Sequence, residues 1–272
     1  MSLKSTLIHL LLLAPLAFAA PSPAKKRDTP DEASKEAADN KGSDDTAAGE
    51  VSASSGPVSG FEFSKWNLQL PIGQPGKPET IPGSKLATYS DPEKKYYYME
   101  GGALIMKVPE PSSGCVHTKN SKHCRTELRE ASPNSWSPKK ARNRLHATLT
   151  VISAGGSVCV GQIHIDDKIS VKPVAELYYS GSGQLTFGVG QTKEGGDQIR
   201  HDLVKIPVGT KFSYTIAYEG DVLYVEIEGK RYPSSGGFSN KLGALDSYFK
   251  AGNYVQGDGA SELHFFGIKT EH

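Results

Sequence analysis

The sequence predicts an all-β chain, an antiparallel β-sandwich of jelly-roll type with a concave groove for a chain-like substrate. Three observations carry this reading. Short strand-like runs are punctuated by Gly, Pro, Asn and Ser. Beyond the N-terminal apolar run no sustained apolar 3.6-residue period occurs. Three segments also place polar side chains at every second position, which puts i, i+2 and i+4 on one face of a strand. Many short strands of this kind build two packed sheets, and one of them often curves.

Lys4 precedes an apolar run from Leu7 that ends in Ala17-Phe18-Ala19-Ala20. A charged start, a short apolar stretch and small residues at its end predict a signal peptide over 1–20, hence a secreted, extracellular protein. The run is too short to span a bilayer comfortably, and no membrane segment is expected. Residues 21–56 contain no Leu, Ile or aromatic residue. Such a segment cannot bury enough apolar surface to offset its ordering entropy, which predicts a disordered linker or pro-segment. Within it, Lys25-Lys26-Arg27 would suit a dibasic processing protease.

Residues 57–272 read as one domain. The run 103–108 is apolar and stopped by Pro109, and 144–151 alternates. Residues 175–179 and 184–189 flank Ser180-Gly181-Ser182-Gly183, and 211–218 and 222–228 flank Glu219-Gly220-Asp221. Both pairs read as hairpins with glycine turns. A last strand is expected over 262–268.

The formal net charge of +1 argues neither for a nucleic-acid binder nor for an acidic solubiliser. Three cysteines in an exported chain suggest one bridge and one leftover thiol. Cys115 and Cys124 flank a polar loop, and a bridge there would stabilise by about 2.5–3 kcal/mol in the chain-entropy model. Cys159 reads as a buried core residue. A zinc site from these cysteines with His117 and His123 matches no paired spacing, so no metal is expected.

The three alternating segments are Arg125-Thr126-Glu127-Leu128-Arg129, Gln162-Ile163-His164, and the nine residues from Tyr248 to Gln256. Arg125, Glu127 and Arg129 would share one face, as would Gln162 with His164, and Tyr248 with Lys250, Tyr254 and Gln256. Arg offers a rigid fork for a carboxylate and Gln a neutral donor for the same oxygens. His accepts a proton near neutral pH, Tyr can donate one, and Lys250 adds positive charge. Glu127 between two arginines reads as an ion-pair partner. Asn253 breaks the apolar alternation of its segment, and Asp166-Asp167 reads as a solvated turn.

Other chemistries find no footing. A glycoside hydrolase needs two carboxylates at a defined separation, and the nearest approach, Glu226-Ile227-Glu228, ends at a turn. No Gly-x-Ser-x-Gly elbow, P-loop or dinucleotide fingerprint occurs. Proton abstraction beside a carboxylate remains. In a polyuronate the C5 hydrogen lies alpha to the C6 carboxylate, and neutralising that carboxylate lowers the cost of the enolate-like charge. A base then takes the C5 proton, an acid protonates O4, and the chain breaks by β-elimination.

The three segments, in this order, resemble the signature segments of polysaccharide lyase family 7, the alginate lyases. The resemblance implies a β-jelly roll that cleaves alginate by β-elimination, leaving unsaturated uronate ends and needing no cofactor. It assigns Arg125 and Gln162 to the uronate carboxylate and His164 and Tyr254 to the protons. Arg129, Lys250, Gln256, Glu127 and Tyr248 would line or shape the substrate groove. In guluronate the C5 hydrogen and O4 lie on opposite faces, which suits His164 as base and Tyr254 as acid. In mannuronate they share a face, and Tyr254 could fill both roles. Ile163, at the middle of the Gln-x-His segment, leans the reading slightly toward guluronate-containing blocks.

Two alternatives stay open at this level: a lyase for another polyuronate such as glucuronan, and a non-catalytic carbohydrate-binding module. The expected species is a monomer whose partner is an anionic polysaccharide, with no nucleic-acid or membrane partner.

Overall fold

The computed structural model describes residues 60–272. The expected signal peptide and the linker or pro-segment lie outside the described residues. In chain order the strands begin with β1 (Trp66–Gln74), β2 (Lys77–Ile81), β3 (Tyr97–Glu100), β4 (Ala103–Val108) and β5 (Arg125–Glu130). Next come β6 (Arg144–Ala154), β7 (Ser157–Ile165), β8 (Pro173–Ser180), β9 (Gln184–Gly190) and β10 (Gln198–Lys205). The last are β11 (Lys211–Glu219), β12 (Val222–Ile227), β13 (Lys230–Tyr232), β14 (Ser247–Val255) and β15 (Ser261–Glu271). One short helix, α1 (Gly83–Leu86), sits between β2 and β3.

Two antiparallel sheets result, as the alternation predicts. One runs β10-β9-β8-β7-β14-β5-β1-β2 and the other β13-β12-β11-β6-β15-β4-β3. Their inner faces meet in a single apolar core. Trp66, Leu68 and Leu70 of β1, with Phe249 and Ala251 of β14, face Leu145, Leu149 and Val151 of β6 and Leu263 and Phe265 of β15. The polar residues of the three alternating segments therefore lie on the outer face of the eight-stranded sheet.

Five strands fall outside the runs expected from the sequence: β1, β2, β3, β10 and β13. Four of these are the outermost strands of the two sheets. Edge strands pair on one side only and carry short, polar or charged sequences that blunt further pairing. Lys-Pro-Glu-Thr-Ile of β2 and Gln-Ile-Arg-His-Asp-Leu-Val-Lys of β10 fit that description. β1 is masked by Pro71 and by a register shift between Gln69 and Gly73.

Asn253 does point inward, and a register shift between Ala251 and Tyr254 puts it there. Its Nδ2 donates to the carbonyls of Met106 (3.0 Å) and Ser261 (3.1 Å), and its Oδ1 accepts from Ser261 Oγ (2.6 Å). A satisfied amide inside the core thus ties β14 to β4 and β15 of the opposite sheet. Gly252 is required beside it, since a Cβ there would come within 2.6 Å of the Glu127 Cα on β5.

Behind β14 lies a second polar knot. The fully buried Glu130 accepts from Trp136 Nε1 (2.9 Å), the Phe249 amide (3.0 Å) and His272 Nε2 (2.7 Å). Asn143 uses its Nδ2 on the carbonyls of Ser137 and Tyr218, so its Oδ1 accepts from His272 Nδ1 at 3.1 Å. The His272 ring thus bridges Asn143 and Glu130 through its two nitrogens. His272→Ala would take one hydrogen-bond partner from that buried carboxylate. The expected cost is about 1–3 kcal/mol, read as a lower urea midpoint at unchanged m-value.

Candidate active site

The site follows from strand register. Across the sheet Glu176 of β8 faces Gln162 of β7, which faces Lys250 of β14, then Arg129 of β5, then Asn67 of β1. On one side of this row Tyr248 lies beside His164, and on the other Tyr254 lies beside Arg125. All of these side chains line one cavity of about 450 Å³. Every residue of the predicted clamp, base and acid is brought together there.

The face differs from a solvated sheet in one respect. Arg125, Gln162, His164, Lys250 and Glu127 are all buried, Glu127 to 1 % exposure. Glu127 is the centre of this layer. Its Oε2 accepts from Arg125 Nη1 (2.9 Å) and Lys250 Nζ (3.0 Å), and its Oε1 from Gln162 Nε2 (2.6 Å). Burial would raise its carboxyl, but Lys250 and Arg125 outweigh that and hold it at about 2. The ion-pair role expected of Glu127 is present, with one change of partner. Arg129 is not bound to it. Instead Arg129 donates to Asp167 Oδ2 (3.2 Å) and to the Glu130 carbonyl (2.6 Å), with its guanidinium 3.9 Å from the Tyr248 ring centroid.

The solvated turn expected at Asp166-Asp167 is present, with Asp167 exposed, and it has a second use. Asp166 does serve the turn, accepting from the Lys168 amide, but Asp167 also accepts from Tyr248 Oη at 2.9 Å. Tyr248 stacks on His164 at 5.0 Å between ring centroids. The His164 Nδ1 lies 2.8 Å from the Ile165 carbonyl, which can only accept. The ring proton therefore sits on Nδ1, and Nε2 presents a lone pair. Burial, reinforced by Lys250, pushes the imidazole down to about 3, so the ring is neutral at ordinary pH.

Tyr254 has a different hold. The Arg125 guanidinium lies 3.6 Å from its ring centroid, and its hydroxyl is 2.9 Å from Ser121 Oγ. Ser121 donates its own proton to the His123 carbonyl and accepts from the His123 amide, both at 3.1 Å. One acceptor position is left, so the phenol donates to Ser121. Ser121 belongs to the loop closed by the predicted Cys115–Cys124 disulfide, which is present with a Cα–Cα distance of 6.2 Å. Cys159 is free and buried, as expected.

Gln256 also borders the cavity, with its Nε2 turned to the Val255 carbonyl at 3.1 Å. Further cavity residues escaped the sequence reading. Asn67 and Gln69 of β1, and Glu176 and Tyr178 of β8, follow the same alternation and were legible in principle. Ser121 was not, because a disulfide-closed loop has no period. No group of three or more His, Cys, Asp or Glu suited to a metal occurs among the described residues.

Comparison with known proteins agrees with this geometry. A family model described as alginate lyase matches residues 61–272. An alginate lyase of Klebsiella pneumoniae is 26% identical over 287 aligned positions, covering 79% of this chain and 91% of the relative. A solved alginate lyase of Pseudomonas aeruginosa is 27% identical, with a TM-score of 0.64, over 78% of this chain and 100% of that one. The family 7 alginate lyase A1-II′ with bound product shares the fold, at TM-score 0.67 and 24% identity over 79% of this chain and 98% of its own. Because the family model spans nearly all of the described sandwich, the chain belongs to the alginate lyases of polysaccharide lyase family 7 and is a polysaccharide lyase.

Proposed function

We propose that this protein is a secreted enzyme that depolymerises alginate by β-elimination at 4-O-linked uronates. The observation that carries the mechanism is the fixed tautomer of His164, whose Nε2 lone pair borders the cavity also lined by Arg125, Gln162 and Tyr254. Arg125 and Gln162 receive the uronate carboxylate. Arg125 spends Nη1 on Glu127, and its Nη2 makes no hydrogen bond among the described residues, a donor that an incoming carboxylate would satisfy. That carboxylate also brings negative charge to His164 and raises its basicity from the depressed resting value. With guluronate, Nε2 takes the C5 proton while Tyr254 turns its proton from Ser121 to O4, and Ile163 leans the preference slightly this way.

The groove does not favour a binding module. The rings of Tyr254 and Tyr248 carry Arg125 and Arg129 over one face, so neither stands as an open platform for a sugar ring. Poly-mannuronate, poly-guluronate and glucuronan, assayed for the ultraviolet absorbance of the new C4–C5 double bond, provide the test. Unsaturated products from either alginate polymer and none from glucuronan are expected; binding without unsaturated ends would overturn the reading.

Ser121 gives a finer check of the acid. Ser121→Ala frees the phenol from its acceptor, and losing about 1 kcal/mol of orientation should lower kcat about fivefold, beside a small drop in Tm from the lost bonds to His123.

A further inference from the structure

The outer face of the eight-stranded sheet carries an acidic group that the elimination chemistry does not use. Glu176 sits one strand from Gln162, its register partner, on the face that receives an anionic polymer. A carboxylate at such a place opposes the binding of a uronate carboxylate, and yet the structure invests in holding it.

Two side chains fix it. Its Oε2 accepts from Tyr178 Oη (2.5 Å) and Gln198 Nε2 (2.9 Å). Gln198 is steadied in turn by Arg200, whose Nε donates to its Oε1 at 3.1 Å. To reach Glu176 from β10, Gln198 must cross β9, and it does so over Gly188. A Cβ on Gly188 would come within 2.4 Å of the Gln198 Cδ. Glu176 Oε1 makes no hydrogen bond among the described residues and borders the cavity.

We propose that Glu176 is a specificity-determining residue that accepts hydrogen bonds from the hydroxyls of the sugar next to the cleaved one. This rests on the lyase reading and extends it along the substrate. Neighbouring strands lie about 5 Å apart, close to the length of one pyranose unit. A polymer crossing the strands with one uronate over Gln162 and Lys250 therefore sets its neighbour over β8. In a 4-linked uronan that turns by half a revolution per residue, that neighbour directs its carboxylate away from the sheet and presents hydroxyls. Glu176 favours this register, because a free carboxylate oxygen accepts hydroxyl protons and repels a second carboxylate. Tyr178, with Arg200 over its ring at 4.1 Å, forms the floor of the same subsite.

The test is a length series of uronate oligomers cleaved by the wild type and by Glu176→Gln, Glu176→Ala and Gly188→Ala. The wild type gains kcat/KM when the added sugar first covers β8. In Glu176→Ala that gain is expected to shrink about tenfold, mostly in KM, the size of one lost hydrogen bond to a charged group. Glu176→Gln keeps one acceptor and should lose less, and it serves if the alanine variant folds poorly. Gly188→Ala, by displacing Gln198, should reproduce part of the loss with Glu176 intact. Equal losses at every oligomer length, or no loss at any, would overturn the proposal. Absence of unsaturated products from the wild type would instead overturn the lyase reading itself.

Discussion

Replacing Tyr254 with Phe is expected to lower kcat by about 10²–10⁴-fold, the contribution of a positioned general acid, while alginate still binds. The ring survives in this variant, so its stacking under Arg125 is retained and the clamp keeps its shape. Only the hydroxyl is lost, together with its bond to Ser121. O4 then leaves without a proton, and the transition state carries the full alkoxide charge. Stopped-flow or endpoint absorbance of unsaturated ends measures kcat, and calorimetry with polymer measures binding. Full activity in Tyr254→Phe would remove Tyr254 from the mechanism.

The companion variant His164→Asn separates the two uronates. If His164 is the base for guluronate alone, poly-guluronate cleavage should fall far more than poly-mannuronate cleavage, where Tyr254 can act on both protons. Equal losses on the two polymers would contradict the division of labour. The single methyl-branched Ile163 points into the core and reaches the groove only through the backbone, so the polymer ratio is the stronger evidence.

Much of this site was legible because a strand has a period of two. Arg125, Gln162, His164, Lys250 and Tyr254 announce themselves by polarity at alternate positions, and the neighbouring Leu128, Ile163, Phe249 and Ala251 mark the core side. What alternation does not encode is which polar groups satisfy one another. Both arginines of β5 flank Glu127 in sequence with equal right, yet Arg125 holds it and Arg129 turns to Asp167. That choice depends on Lys250 arriving from β14, a long-range event. Ser121 and Asp167 come from loops whose placement depends on a disulfide and a turn. The sheet edges were hidden for the opposite reason, since their polarity protects them from further pairing and erases the pattern that betrays a strand.

Glu127→Gln is expected to be the most damaging single change to stability in the site, at about 3–5 kcal/mol. The variant keeps the shape of the side chain and its reach to Gln162, but it leaves Arg125 and Lys250 buried together with no anion between them. Against a total stability of about 5–15 kcal/mol for an ordinary domain, that is a large fraction. Lys250 offers partial relief, because burial already lowers its pKa and the ammonium can shed its proton. Arg125 cannot. The unfolded chain then binds the proton that folded Lys250 has lost, so the penalty should shrink as pH rises toward the ordinary lysine value of 10.5. The wild type also weakens toward low pH, but in the acid range. Glu127 falls from its ordinary 4.5 to about 2 on folding, so its contribution is present above 4.5 and lost as pH falls toward 2. His164, at about 3 folded against 6.5, adds a loss that begins higher, since the unfolded chain gains a proton between 6.5 and 3. Urea midpoints from pH 3 to 9 should therefore show an acid slope in the wild type that is shallower in His164→Asn. Below pH 4.5 it should be shallower still in Glu127→Gln, which has no carboxylate left to protonate. A Glu127→Gln variant as stable as the wild type at pH 7 would mean that Glu127 does not hold the two cations together. The same result would remove the buried carboxylate as the reason the clamp is rigid before substrate arrives.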